Sequence, residues 1–286
     1  MSEAAGALLF ARYAYPPNAL GLCGADAPGT LLEYGDAQAS DGGLAELART
    51  FEGAWPYLTL IAEANRIEDP LDPRVVAAYW VGNELLARVE PAALVRHVRD
   101  RYRGRLGRAA ERIPSVVAAG AIPHHCFHVF AVYPWLGLLR SGIVDEPLRV
   151  LDQCRTTPAL VLALDGDTAD VLAEPLLWEE GALRLGEPQP RRARWRDGGR
   201  AFVRPRPGDL VSLHWDFVCD LLSPGEAARL GAVTRRVLSA VEGDRSRGRR
   251  QRTPRAPARD APVRARPTSA RGSAPSPPAP RGSRSR

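Results

Sequence analysis

Near residue 150 the apolar pattern of this chain changes period, from three-and-four spacing to alternation. The two periods belong to different backbones, so a helical part must be followed by a stranded part. Before the change, Leu44, Leu47, Ala48, Phe51, Trp55, Leu58 and Ala62 recur at helical spacing, which predicts one amphipathic helix kinked near Pro56. Asp72-Pro73 reads as an N-cap followed by a first-turn proline. It opens a helix with Val76, Tyr79, Trp80, Asn83, Leu86 and Ala87 along one face, and a third helix runs from Pro91 to about Tyr102. After the change, Leu160, Leu162 and Leu164 alternate with smaller residues, Asp165-Gly166-Asp167 turns the chain, and residues 168–174 return. Further strand-like runs lie at 183–185, 193–196, 200–204 and 210–215. Ser223-Pro224-Gly225-Glu226 is a capping box that starts a helix reaching about Val241. Five or six short strands in about 65 residues fit a small barrel better than a parallel sheet.

The expected architecture is α+β and multidomain: a mainly helical domain of unknown function over 1–150, a barrel with its terminal helix over 151–242, and a tail over 243–286. From Asp244 onward the chain holds thirteen Arg and two Asp among Pro, Ser, Ala and Gly, with almost nothing to bury, and is expected to be disordered. That tail carries a net charge of +11, against −5 for the rest, so the overall +6 misdescribes the folded part. The basic residues are all Arg, with no Lys, and the tail has no aromatic residue for base stacking, which argues against nucleic acid as a ligand. No apolar run approaches 18 residues, and Met1-Ser-Glu-Ala-Ala lacks a basic leader, so the expected location is the cytoplasm, without membrane contact. Cys23, Cys126, Cys154 and Cys219 show no disulfide framework, and in such a compartment read as free thiols or ligands.

Two short patterns 54 residues apart carry the most specific signal. Cys154-Arg-Thr-Thr-Pro158 leads into the first strand, and Gly208-Asp209-Leu-Val211-Ser-Leu-His214-Trp-Asp-Phe217 supplies the closing one. Taken singly, such a Cys is a small buried hydrophobe and such a His is structural. In this order, and followed by a helix, the patterns resemble the HypC/HupF family of nickel–iron hydrogenase assembly chaperones, over residues 154 to about 240. The resemblance implies a non-enzymatic protein with a HypC-like, OB-like barrel. It would hold iron in transit, and work with a HypD-type partner and the immature hydrogenase large subunit. By position, Cys154 would be the thiolate ligand and partner contact, with His214 and Phe217 beside it at the docking surface. A soft thiolate suits such iron, and few other ligands would keep the metal transferable. Here the thiol is internal, with no α-amine next to it. The helical half resembles an uncharacterised actinobacterial family.

Two other stretches are dense in reactive side chains. Pro123-His124-His125-Cys126-Phe127-His128 could supply a nickel, zinc or iron site, as in a metal-dependent enzyme. Adjacent His124 and His125 point apart, so the candidate set is His124, Cys126 and His128 on a strand, or His124 and His128 on a helix. The alternative is histidines hydrogen-bonded to backbone. Arg12 to Gly24, with two prolines then two glycines, reads as a rigid loop decorated by Tyr13, Tyr15, Asn18 and Cys23, or as a strap over the helices. Gly21-x-x-Gly24 lacks a phosphate loop's lysine, and no Ser/His/Asp order or acid pair looks catalytic.

Overall fold

A computed structural model describes residues 3–102 and 110–251. The helices are α1 (Glu3–Ala19), α2 (Pro28–Ala37), α3 (Gly42–Arg49), α4 (Trp55–Asn65), α5 (Pro73–Trp80), α6 (Pro91–Tyr102), α7 (Ile113–Ala118), α8 (His125–Phe127), α9 (Trp135–Arg140) and α10 (Asp145–Cys154). Seven strands follow: β1 (Thr157–Asp165), β2 (Thr168–Ala173), β3 (Leu176–Glu179), β4 (Ala182–Leu185), β5 (Gln189–Arg194), β6 (Leu210–His214) and β7 (Phe217–Leu222). The last helix is α11 (Pro224–Gln251). The fold is therefore mixed, with helices first, then strands, then a helix. No described helix is long and apolar enough to cross a membrane.

Local chemistry explains most boundaries. The Asp72 carboxylate accepts from the Arg74 amide at 2.8 Å and caps α5. The capping box at α11 closes reciprocally: the Ser223 amide donates to Glu226 Oε2 at 2.8 Å, and the Glu226 amide donates back to Ser223 Oγ at 3.3 Å. The periodic run 44–62 is two helices rather than one kinked at Pro56, because residues 50–54 leave the helix and Pro56 sits in the first turn of α4. Residues 12–19 are helical, not a loop. Pro16 and Pro17 lie near the end of α1, where burial of Phe10, Tyr13, Ala14 and Tyr15 outweighs the ~3 kcal/mol an interior proline costs. The terminal helix runs ten residues beyond Val241, to Gln251, so residues 243–251 are helical and the remainder of the expected disordered tail lies outside the described residues.

The strand pairing runs β1-β2-β5-β7-β6 and returns to β1. All contacts in this circuit are antiparallel except β5 with β7, a parallel contact at Arg194 and Phe217. Ala159, Val161, Ala169, Val171, Ala173, Ala193, Val211, Leu213 and Val218 fill the interior. Small residues face inward because a ring this narrow has little room, and Leu162 and Leu164 project to solvent. Residues 200–204 form no strand, only a bridge from Asp197 to Arg200. Phe217 belongs not to the strand of His214 but to β7, across a two-residue turn at Trp215 and Asp216, both at positive φ (51° and 54°).

The change at residue 150 separates helices from strands, but it does not separate domains. Residues 1–251 form a single compact unit. One apolar core contains Phe10, Tyr57 and Phe127 from the helical half together with Leu176, Phe202, Phe217, Leu230 and Val237 from the other. Helix α1 also grips the last strands directly. Its Arg12 pairs with Asp220 on β7, and Tyr13 Oη lies 2.8 Å from Ser212 Oγ on β6.

Candidate metal centre

Helix α10 ends on Cys154, and β6 ends on His214. Each side chain is fixed by where its element stops. The turn after β6 is tied to α10 by the Trp215 amide, which donates to the Gln153 carbonyl at 2.7 Å, and by Gln153 Nε2, which donates to Asp216 Oδ2 at 2.5 Å. Thiol and imidazole are thereby brought to one place, joined by His125 from the single turn of α8. The donor atoms of His125, Cys154 and His214 lie within 4.8 Å of one another, and this is the one such group of three among the described residues. Cys154 Sγ is 4.0 Å from His125 Nε2, and the two imidazole centroids are 4.9 Å apart at 78°.

Hydrogen bonding settles which lone pairs are available. His214 Nδ1 donates to the Tyr13 carbonyl at 2.8 Å, so its Nε2 carries the lone pair, and that atom is buried without a partner. A ring held through one nitrogen, with the other left bare, is the usual arrangement of a metal-ligating histidine. His125 Nε2 donates to the Cys154 carbonyl at 2.7 Å, and its Nδ1 is 3.2 Å from Tyr79 Oη. That hydroxyl has one hydrogen and donates it to the Gly53 carbonyl at 2.9 Å, so it can accept from His125 only when the ring proton sits on Nδ1. A metal at His125 Nε2 would displace the Cys154 carbonyl and leave the ring proton on Nδ1, where it would donate to Tyr79 Oη as the brace. Trp80 packs at a tilt against both rings, with centroids 4.5 Å from His125 and 5.4 Å from His214.

All three groups are neutral at rest. Burial pushes the Cys154 thiol well above its ordinary value, drives His125 well below its own, and lowers His214 to about 4. A thiol and two neutral imidazoles match the needs of zinc, iron, cobalt or nickel in the divalent state, with the thiol proton leaving as the ion arrives. The trio faces a cavity of about 730 Å³ whose walls include Tyr133, Trp135 and Trp215, with Glu146, Arg149 and Gln153 also lining it. Cys23 lines the same cavity.

The residues expected from the sequence divide sharply. Cys154 and His214 converge as the two patterns implied. His124, Cys126 and His128 do not converge with one another. The backbone there is one α turn followed by a π-type turn over residues 128–132, so each side chain meets a different neighbour. His124 Nδ1 accepts from the Cys126 amide at 3.1 Å as a cap, Cys126 Sγ lies 3.6 Å from Thr234 Oγ1, and His128 Nδ1 lies 3.3 Å from Tyr57 Oη. Phe217 is fully buried between Tyr15 and Phe202 and offers no docking surface. Tyr13 and Tyr15 are buried props on α1, with Tyr15 Oη donating to Asp197 Oδ2 at 2.6 Å. Asn18 Nδ2 donates to the carbonyls of Cys23 (2.7 Å) and Ala25 (2.5 Å), fixing the loop after α1. His125 was missed. Neighbouring histidines point apart in any regular structure, but only tertiary packing decides which one faces the cavity.

These features define a mixed α/β protein with a buried Cys-His-His cluster at the junction of its helical and stranded parts. The chain belongs to a family of unknown function (DUF6390), whose pattern matches residues 2–248. No curated protein and no solved structure matches it.

Proposed function

We propose that this protein is a metal-handling accessory factor in nickel–iron hydrogenase assembly, not an enzyme, acting in the cytoplasm. On this reading, residues 154–240 are a HypC-like, OB-like barrel fused to a helical part that completes its site. The observation that carries it is the meeting of Cys154 and His214, the two positions of the HypC-like patterns, with His125 in one group no wider than 4.8 Å. Iron in transit is the cargo, with nickel as the alternative ion.

The chain's own residues would do three things. Cys154 surrenders its proton when iron enters, and its sulfur then balances part of the ion's charge in a water-poor cavity. His214 donates Nε2 while Tyr13 holds the ring's other nitrogen, and His125 supplies the third donor. Three protein donors leave positions open, so the ion stays transferable to a HypD-type partner or the hydrogenase large subunit. Because Cys154 and His214 are buried, a partner would reach them through the cavity mouth and not by direct contact with the strand surface.

The test is anaerobic purification of the full chain from cells making active hydrogenase. About one iron or nickel per chain, with a HypD-type protein or large subunit co-purifying, is the expected result. A metal-free protein bringing down neither partner would overturn the proposal.

A further inference from the structure

A second cavity, of about 510 Å³, adjoins the first, and the two share Leu22, Cys23, Gly53, His128 and Tyr133. Its remaining lining includes Gly21, Gly24, Thr50 and Glu52, all exposed, so it opens to solvent; the first cavity, which holds His125, Cys154 and His214, has a further exposed rim at Leu20, Glu146 and Arg149. Two of the shared residues, Cys23 and His128, have side chains of metal-ligating type. His128 is 1% exposed, and its Nε2 is buried without a hydrogen-bond partner although the ring borders both cavities. Cys23, on the loop after α1, borders both cavities too.

Gly53 lies between the two. A Cβ there would be 3.3 Å from His128 Nε2 and 3.6 Å from Tyr133 Oη, so the absent side chain keeps the passage open. The Gly53 carbonyl accepts from Tyr79 Oη, which reaches on to His125. The loop carrying Cys23 is pinned by Asn18 and turned by Gly21 and Gly24 at φ of 68° and 81°. A bare imidazole nitrogen and a thiol placed at a passage, short of the inner trio, suit a temporary ligand pair.

We propose that Cys23 and His128 form a staging pair that takes a divalent metal ion from the outer cavity and passes it to His125, Cys154 and His214. The proposal rests on the metal-handling reading above. Cys23 loses its proton to solvent as the ion binds and regains one as the ion moves inward, while Cys154 gives up its own, so one proton is released overall.

Anaerobic stopped-flow mixing of the full chain with cobalt(II) tests it, following the thiolate-to-cobalt absorption band. Cys23→Ser and His128→Gln should each slow loading about tenfold or more. The final cobalt ratio and spectrum should match the wild type. Cys23 is only partly buried and Ser keeps its size, so that variant preserves the fold, as circular dichroism would verify. Wild-type loading rates in both variants would overturn the staging pair alone, as would a lower final ratio in Cys23→Ser, which would make Cys23 a resident ligand. Failure of the wild-type chain to take up cobalt at all would instead remove the metal-handling reading, and the staging pair with it.

Discussion

Mild acid should unfold this protein. His124, His128 and His214 are fully buried and neutral, with their ordinary value of 6.5 lowered by desolvation to about 3, about 3 and about 4. In the unfolded chain the same imidazoles return to about 6.5 and take up protons first. Stability is therefore intact above pH 7 and is lost as the pH falls below about 6.5, until the folded imidazoles charge near pH 3–4. At pH 5 each depressed histidine costs about 2 kcal/mol relative to pH 7, and three cost about 6 kcal/mol. His125 acts in the same direction. A loss of that size approaches the whole stability of an ordinary domain, about 5–15 kcal/mol. Far-UV circular dichroism and tryptophan fluorescence, followed from pH 8 to pH 4, should show a cooperative transition with its midpoint above pH 4.5. His124→Asn, which keeps a cap acceptor, should move that midpoint down. A native spectrum persisting unchanged at pH 4.5 would refute the reasoning, because it would mean these rings are hydrated or already charged.

Cobalt affinity should rise about tenfold per pH unit between pH 6 and 8, since the Cys154 proton is displaced on binding; a flat profile in an equilibrium titration would exclude that thiol as a donor. Asp152→Ala should cost about 3–5 kcal/mol in a urea titration, because Arg155, 1% exposed, would lose its carboxylate partner. The same change also frees the Leu176 amide and leaves Arg191 with Asp216 alone, so a loss under 1 kcal/mol would show the charge reaching water elsewhere. Gly6→Ala should destabilise strongly, by about 3 kcal/mol or more, since its Cβ would sit 1.6 Å from the Leu71 carbonyl oxygen with backbone on both sides. A wild-type melting temperature for that variant would show that α1 can shift away from the 71–73 turn.

The parts of this fold legible in the sequence are those fixed by short-range chemistry. Asp72-Pro73, the Ser223 box and the alternation in β2 need only a few neighbouring residues, and each appears where expected, whereas β1 alternates only as far as Val161 and then exposes residues 162–165. Long-range packing decided the rest. Pro16 and Pro17 read as helix breakers until the buried face of α1 is seen. Residues 200–204 have the composition of a strand but find no partner edge. In the site, Cys154 and His214 were recoverable because short local patterns mark the entry to β1 and the strand β6, which the fold brings together. His125 was not, since its role depends on α8 facing the end of α10 across the interior. The His124, Cys126 and His128 grouping failed for the same reason: three donors near in sequence were dispersed by a π-type turn.

The brace on His214 has a consequence for biosynthesis. It comes from Tyr13, 201 positions earlier, and the neighbouring Ser212 contact spans 199. A ribosome adding about 5–20 residues per second releases α1 roughly 10–40 seconds before β6 exists. During that interval α1 exposes Tyr13 and Tyr15 with nothing to cover them on the β6–β7 side. No nascent fragment lacking β6 can present the full trio of donors, so the cluster of His125, Cys154 and His214 is completed only once nearly all of the structured part has been made.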